Sequence, residues 1–291
     1  MGASVSNVYV QTYERTVRHL AQQGITRLMP WVVSKSIQSE GHNWERLGSQ
    51  EAVEKTGRLV DTPEQDYPWS RRKSIPVTYH TGDSTEQEDI VQMLVDPNSN
   101  IAQAQAKAMR RAHDDEIIRA ATGDSRDGAG NAVTFPAGQA LGDGTLSINF
   151  DIVTATSELF MDNDIEPDEE KVFVISPRQA RKLLQLTEAT SGDYNAVRPL
   201  TSKGYIESWM GYTWVVSTRL PDSSVGQDGS SEYCFAMTRK ALGMQMNRDI
   251  TTRVAEDPTK SFAWRLYTFS TYGCIRVEDE QLVRLNLSTT I

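Results

Sequence analysis

"AKAMRRAHDDEIIRAATGD", Ala106 to Asp124, is the stretch on which the fold turns. Between Arg110 and Arg119 it gathers His113, the acids Asp114, Asp115 and Glu116, and the arginines Arg110, Arg111 and Arg119. Such a cluster is either an acid/base or metal site, or the charged flank of a long helix. Helical geometry separates the two, because metal ligands on one helix need i, i+3 or i, i+4 spacing. From His113 those positions are Met109, Arg110, Glu116 and Ile117, so Glu116 alone could share an ion and no third ligand follows. The acids have better partners at four-residue steps: Arg110 with Asp114, and Arg111 with Asp115 and then Arg119. Each such pair stabilises an exposed helix by roughly 0.2–0.5 kcal/mol. The spacing predicts salt-bridge ladders on a structural helix. A soluble enzyme using His113, Asp114 and Glu116 is the rival.

The helix has its own start and stop. Asp96 and Pro97 form an entry and Gly123 an exit. About 25 residues at 1.5 Å rise make a rod of roughly 37 Å. Ala102, Ala106, Met109, His113, Ile117 and Ala120 recur at three- and four-residue intervals, giving one thin stripe of mostly small residues. So narrow a seam suits a rod lying across a sheet.

Downstream, "GDSRDGAGNAVTFPAGQALGDG" reads as glycine-rich loop, and a second helix is predicted from Asn149 to Asp162 with Val153, Thr156 and Phe160 on one face. "KVFVISPRQARKLLQL" is a strand-to-helix unit: Val172 to Ile175 is continuously apolar, and Ser176, Pro177 and Gln179 form an N-cap, a first-turn proline and a capping-box partner. "YIESWMGYTWVVST" predicts a hairpin turning near Gly211, and "EYCFAM" a further strand. Near the C-terminus Val283, Leu285 and Leu287 alternate with Arg284 and Asn286, the period of a strand. The class is mixed α+β.

Upstream, the first fifty residues are short amphipathic pieces with breakers, among them "VQTYERTVRHLAQQG", a short helix stopped at Gly24, and the extended "ITRLMPWVV", interrupted by Pro30. Trp31, Trp44 and Trp69 sit where no core periodicity exists, which calls for another surface to bury them. "GRLVDTPEQDYPWSRRKSIPVTYHTGDSTEQED" is two extended segments, charged and proline-broken, without an evident apolar face.

Composition excludes several functions. With 30 basic against 39 acidic residues the chain carries −9, opposite in sign to a dedicated nucleic-acid reader. No run of 18 apolar residues could span a membrane. Cys234 and Cys274 have no CxxC or histidine companion and read as small buried hydrophobes. His19, His42 and His80 are scattered, and "MDNDIEPDEE" lacks the glycine and spacing of a calcium loop. GxSxG, HExxH, a phosphate loop and GxGxxG are all missing, so no catalytic residue, cofactor or metal is expected.

In order along the chain, "VQTYERTVRHLAQQ", "GHNWERLG", "RRKSIPVTYHTGD", "AKAMRRAHDDEIIRAATG", "VFVISPRQARKLLQ", "GYIESWMGYTWVVSTRLP", "CFAMTRKALGM" and "DPTKSFAWRLYTFSTYGCIRVEDEQLVRLNL" resemble major capsid proteins of tailed bacteriophages with the Hong Kong 97-type fold. That resemblance implies an N-terminal arm over 1–48 and an extended β-hairpin loop over 49–85 lying on the adjacent subunit. It implies a peripheral domain with the long spine helix over 86–150 and 245–291, and an axial domain over 151–244. It implies self-assembly as pentamers and hexamers into an icosahedral virion shell, in the host cytoplasm, around double-stranded DNA touched weakly and non-specifically. Portal, scaffolding and decoration proteins would be partners, and no membrane. Because the chain starts almost at the arm, a separate scaffolding protein or a short cleaved leader is expected. Some relatives join a lysine to an asparagine between subunits; Lys55 and Lys73 lie in the loop, but nothing identifies their partners. Interface residues are expected at Trp31, Trp44, Arg71, Arg72 and Lys73, the last three against acids of a neighbour. A cellular encapsulin-like nanocompartment shell is the alternative within this fold.

Overall fold

The computed structural model describes residues 22–60, 64, 66–86, 97–186, 206–224 and 228–290. The expected arm helix before Gly24 therefore lies outside the described residues, apart from its last few positions. Residues 22–25, 79–86, 97–111 and 250–270 form one compact unit and the other described residues a second. The class is mixed α+β, as the sequence predicts.

Helix α1 (Pro97–Thr122) has nearly the predicted limits. Gly123 ends it: its N–H donates to the Arg119 carbonyl at 2.9 Å. A Cβ there would stand 2.8 Å from that same oxygen, so a larger residue would have to shift. Met109, His113, Ile117 and Ala120 of the predicted stripe are buried, but so are Asp114, Glu116, Ile118 and Ala121. The last three turns are covered on more than one side, which a single stripe does not foretell.

Helix α2 (Phe150–Asp162) buries Val153, Thr156 and Phe160, as its period requires, and Asn149 caps it by accepting from Ile152 N. In helix α3 (Pro177–Leu183) the Ser176 hydroxyl accepts from Gln179 N at 3.3 Å. The Gln179 side chain does not close a capping box. It is fully buried, accepts from Ile148 N at 2.9 Å and donates to Ser288 O at 2.7 Å, tying α3 to two distant segments.

Among the described residues the strands are β1 (Val33–Ser36), β2 (His42–Leu47), β3 (Trp69–Ser74), β4 (Val77–Thr85), β5 (Ser125–Arg126), β6 (Ala132–Val133), β7 (Ala140–Leu141), β8 (Lys171–Ile175), β9 (Ser208–Trp209), β10 (Tyr212–Val216), β11 (Ser231–Thr238), β12 (Leu242–Asp257), β13 (Ala263–Arg276) and β14 (Leu282–Ser288). A mixed sheet runs β7-β14-β11-β8-β10-β9. Val172 to Ile175 of β8 are buried on both faces, which is why they read as an unbroken apolar run. Val283, Leu285 and Leu287 of β14 turn into the core beside Cys234, against Phe160 of α2 and Leu183 of α3. The β9–β10 hairpin turns at Met210 (φ 53°) and Gly211 (φ 77°), the paired left-handed conformation of a tight hairpin. Below it Phe173 stacks on Trp214 at 4.4 Å.

The other large sheet runs β1-β12-β13-β4. β1 lies parallel to β12, Val33 opposite Gly243 through Ser36 opposite Met246. Pro30 does not simply interrupt an extended segment: Met29–Trp31 makes one 3-10 turn before β1 begins. β2 and β3 form a two-stranded sheet of their own, with one isolated antiparallel bridge from Arg72 to Asp127.

Candidate assembly surface

β2 and β3 form an antiparallel ladder from His42 opposite Ser74 to Leu47 opposite Trp69. The hairpin therefore starts ahead of residue 49, and β4, counted in the loop from sequence, is built into the sheet beside β13. Successive side chains point to opposite faces of a strand. One face of the ladder carries the register pairs Trp44–Arg72 and His42–Ser74, the other Asn43–Lys73, Glu45–Arg71 and Leu47–Trp69.

The first face is turned into the protein. Trp44 packs on Ile275, Val277 and Val33. Its Nε1 donates to Ser74 Oγ at 3.2 Å, and that hydroxyl donates to Gln245 Oε1 at 2.9 Å. Arg72 is as buried as Trp44 and pairs with Asp279. From sequence, Trp44 and Arg72 are expected to meet a neighbouring subunit. Both are occupied within their own chain, because alternation along β2 and β3 aims them at β13 and the turn after it.

The second face looks outward. Arg71 Nε donates to Glu45 Oε2 at 2.9 Å in a half-exposed cross-strand pair. Lys73 is half-buried, and Trp31 likewise in its 3-10 turn. Towards the tip apolar side chains stand uncovered: Leu47 beside Trp69 (69% exposed), then Val53, Leu59 (91%) and Val60. A charged tip was expected, and its charges are present, but the apolar groups are what lack cover. The signal was available in "WSRRKS", whose period of two sets Trp69, Arg71 and Lys73 against Ser70, Arg72 and Ser74.

The helix cluster has a different geometry from the predicted ladders. Asp114 is buried and accepts the backbone N–H groups of Arg27 (3.0 Å) and Leu28 (3.3 Å). Arg110 donates to the Gly24 carbonyl at 2.7 Å and Arg111 to Gln22 Oε1 at 2.7 Å. Asp115 pairs with Arg219, and Arg119 with Glu116 one turn back. Where the ladder reading set Arg110 and Arg111 against these acids, Asp114 takes the backbone of Arg27 and Leu28 and Asp115 takes Arg219, partners that lie off the helix. His113 is buried edge-on to Tyr272, ring centroids 4.2 Å apart. Burial lowers its pKa, with Asp249 opposing. Among the described residues no group of three His, Cys, Asp or Glu could hold a metal ion, and no described helix is long and apolar enough to cross a membrane. The acids around Met161 are largely exposed beyond the end of α2, as a solvated helix end would be.

A long helix buried along its last turns, a mixed sheet packed with α2 and α3, and a two-stranded β2–β3 hairpin make up the fold. Solved structures share it over nearly their full length. One from Mycobacterium phage Che8 matches with a TM-score of 0.73 at 14% identity, covering 98% of this chain and 98% of that one. The capsid of cyanophage P-SCSP1u gives 0.77 at 14% identity, over 99% and 95%. The capsid of Ralstonia phage GP4 gives 0.74 at 11% identity, over 98% and 97%. No curated protein matches the sequence. A family model described as phage capsid protein matches residues 5–288, and the chain belongs to that family. It is a structural protein of the phage capsid.

Proposed function

We propose that the chain is the repeating subunit of an icosahedral shell that closes around packaged double-stranded DNA, with copies gathering as pentamers and hexamers. The observation that carries this reading is the β2–β3 hairpin. Its root is fastened by Trp44 and Arg72 inside the subunit, while Leu47, Leu59 and Trp69 near its tip have no cover among the described residues. An apolar tip on a fastened root fits burial against an adjacent copy. The arm takes residues 1–48 and the extended loop 49–85, with the β2–β3 ladder at the loop's root. Residues 86–150 and 245–291 take the peripheral role and 151–244 the axial one. Portal, scaffolding and decoration proteins are the partners such a shell uses, and assembly takes place in the host cytoplasm. A net charge of −9 suits a wall that contains DNA without gripping it.

Electron microscopy of the purified protein, alone and with a scaffolding protein from the same source, tests the reading. Closed shells are the expected result. A small monomer under all conditions, with an activity lost in His113→Ala, would sink it.

A further inference from the structure

We propose that Arg46, Arg72 and Arg276 form a receptor for an oxyanion, a carboxylate or phosphate group, beside Asp279 at the root of the hairpin.

Three guanidinium groups surround one carboxylate there. Arg276, with no exposed side chain, donates through Nε to Asp279 Oδ1 at 2.6 Å. Its other nitrogens go to Gly123 O at 2.6 Å and Thr134 O at 3.4 Å, and its Cζ lies 4.6 Å from the centroid of the Phe135 ring. Arg72 takes the second oxygen, Nη2 to Asp279 Oδ2 at 2.5 Å. Both oxygens of the acid are then engaged. Arg46 is left with Nη1 3.9 Å from Oδ2, beyond hydrogen-bond reach, although its side chain is only 19% exposed. Among the described residues its guanidinium has no hydrogen bond.

At Asp279, therefore, three guanidinium groups share one carboxylate. Glu45, next in sequence, points to the opposite face and pairs with Arg71. Arg284 is a fourth guanidinium, with its Cζ 4.1 Å from the centroid of the same Phe135 ring; it donates to Thr122 O at 2.8 Å and feels the charge of Asp124. Burial lowers the pKa of Arg72, and Arg46 and Arg276 lower it further against the pull of Asp279. Guanidinium charge withdrawn from water demands a counter-charge. The unused fork of Arg46 matches the two-oxygen edge of a carboxylate or phosphate.

The test is thermal melting of the unassembled subunit in sodium phosphate against sodium chloride at equal ionic strength. A ligand that binds only the folded state raises the melting temperature, here by about 2–4 °C near five times its dissociation constant, and saturably. Arg46→Gln should lose that rise, whereas Lys240→Gln, the same charge change at an exposed pair with Glu169, should keep it. Should Arg46→Gln not melt cooperatively, Arg46→Lys keeps the charge without the fork and should respond more weakly than wild type. No saturable rise in wild type, or an undiminished rise in the Arg46 variants, overturns the proposal. Repeating the comparison on assembled shells distinguishes the sources. A rise lost on assembly means that a neighbour's carboxylate fills the receptor, and a rise retained means a free oxyanion. This last arm rests on the shell reading; if no shells form, that reading fails while the subunit titration still decides the receptor.

Discussion

The indole of Trp44 lies directly over Gly243: a Cβ added to that glycine would stand 2.6 Å from Trp44 Cε2. Nearly two hundred residues apart in sequence, the pair fastens the hairpin to β12. Gly243→Ala should push the indole out and loosen β2 and β3 together. Trp44→Ala should cost about 3 kcal/mol, towards the low end for a buried aromatic because its cluster is small. Denaturant melts check the magnitude, and limited proteolysis should show cleavage of the hairpin rising in both variants.

Outward-facing tip residues should behave oppositely. Leu59→Ser with Trp69→Ser removes exposed apolar surface, so subunit stability should change by no more than about 0.5 kcal/mol. Shell yield, counted by electron microscopy or sedimentation, should fall sharply. Equal yields would separate the tip from assembly.

Asp114 serves the backbone of Arg27 and Leu28, so Asp114→Ala strands buried N–H groups and should cost about 1–3 kcal/mol for each left unpaired. Asp114→Asn keeps one acceptor oxygen and should recover part of the loss. On a solvated ladder Asp114→Ala would cost only a few tenths of a kcal/mol, so equilibrium unfolding distinguishes the two placements.

Gln179 of α3 offers a similar test. Gln179→Leu keeps the volume but abandons Ile148 N and Ser288 O, again at about 1–3 kcal/mol for each. Hydrogen exchange should show faster opening at Ile148.

Acid should weaken the fold through buried His113 and half-buried His42. Burial lowers the pKa of His113 in the folded chain, and that of His42 with help from Lys35. A lowered folded pKa means the unfolded chain binds more protons once pH falls below about 6.5, so stability is intact above that value and lost as pH drops towards the folded pKa. His113→Phe should flatten the fall in melting temperature between about pH 7 and 5. His42 should supply what remains.

Local chemistry explains why much of the architecture was legible. The limits of α1 follow from Pro97 and Gly123, the buried face of α2 from Val153, Thr156 and Phe160, and the inward side of β14 from strict alternation. Each is a signal confined to a few neighbouring residues. Sequence fell short wherever a residue's environment is made by a remote one. Asp114 looked solvated because its partners lie 86 and 87 positions away. Trp44 looked unpartnered because Gly243, Ile275 and Val277 come from the far end of the chain.

By itself, then, the sequence determined the main helices and strands, the Ser176 cap and the mixed α+β class, since propensity and periodicity act within one or two turns. Tertiary structure alone decided which charges are withdrawn from water and which apolar groups remain in it. Burial is a property of what packs against a side chain. For Arg72 and Asp279, 207 residues apart, only the folded chain brings that neighbour within reach.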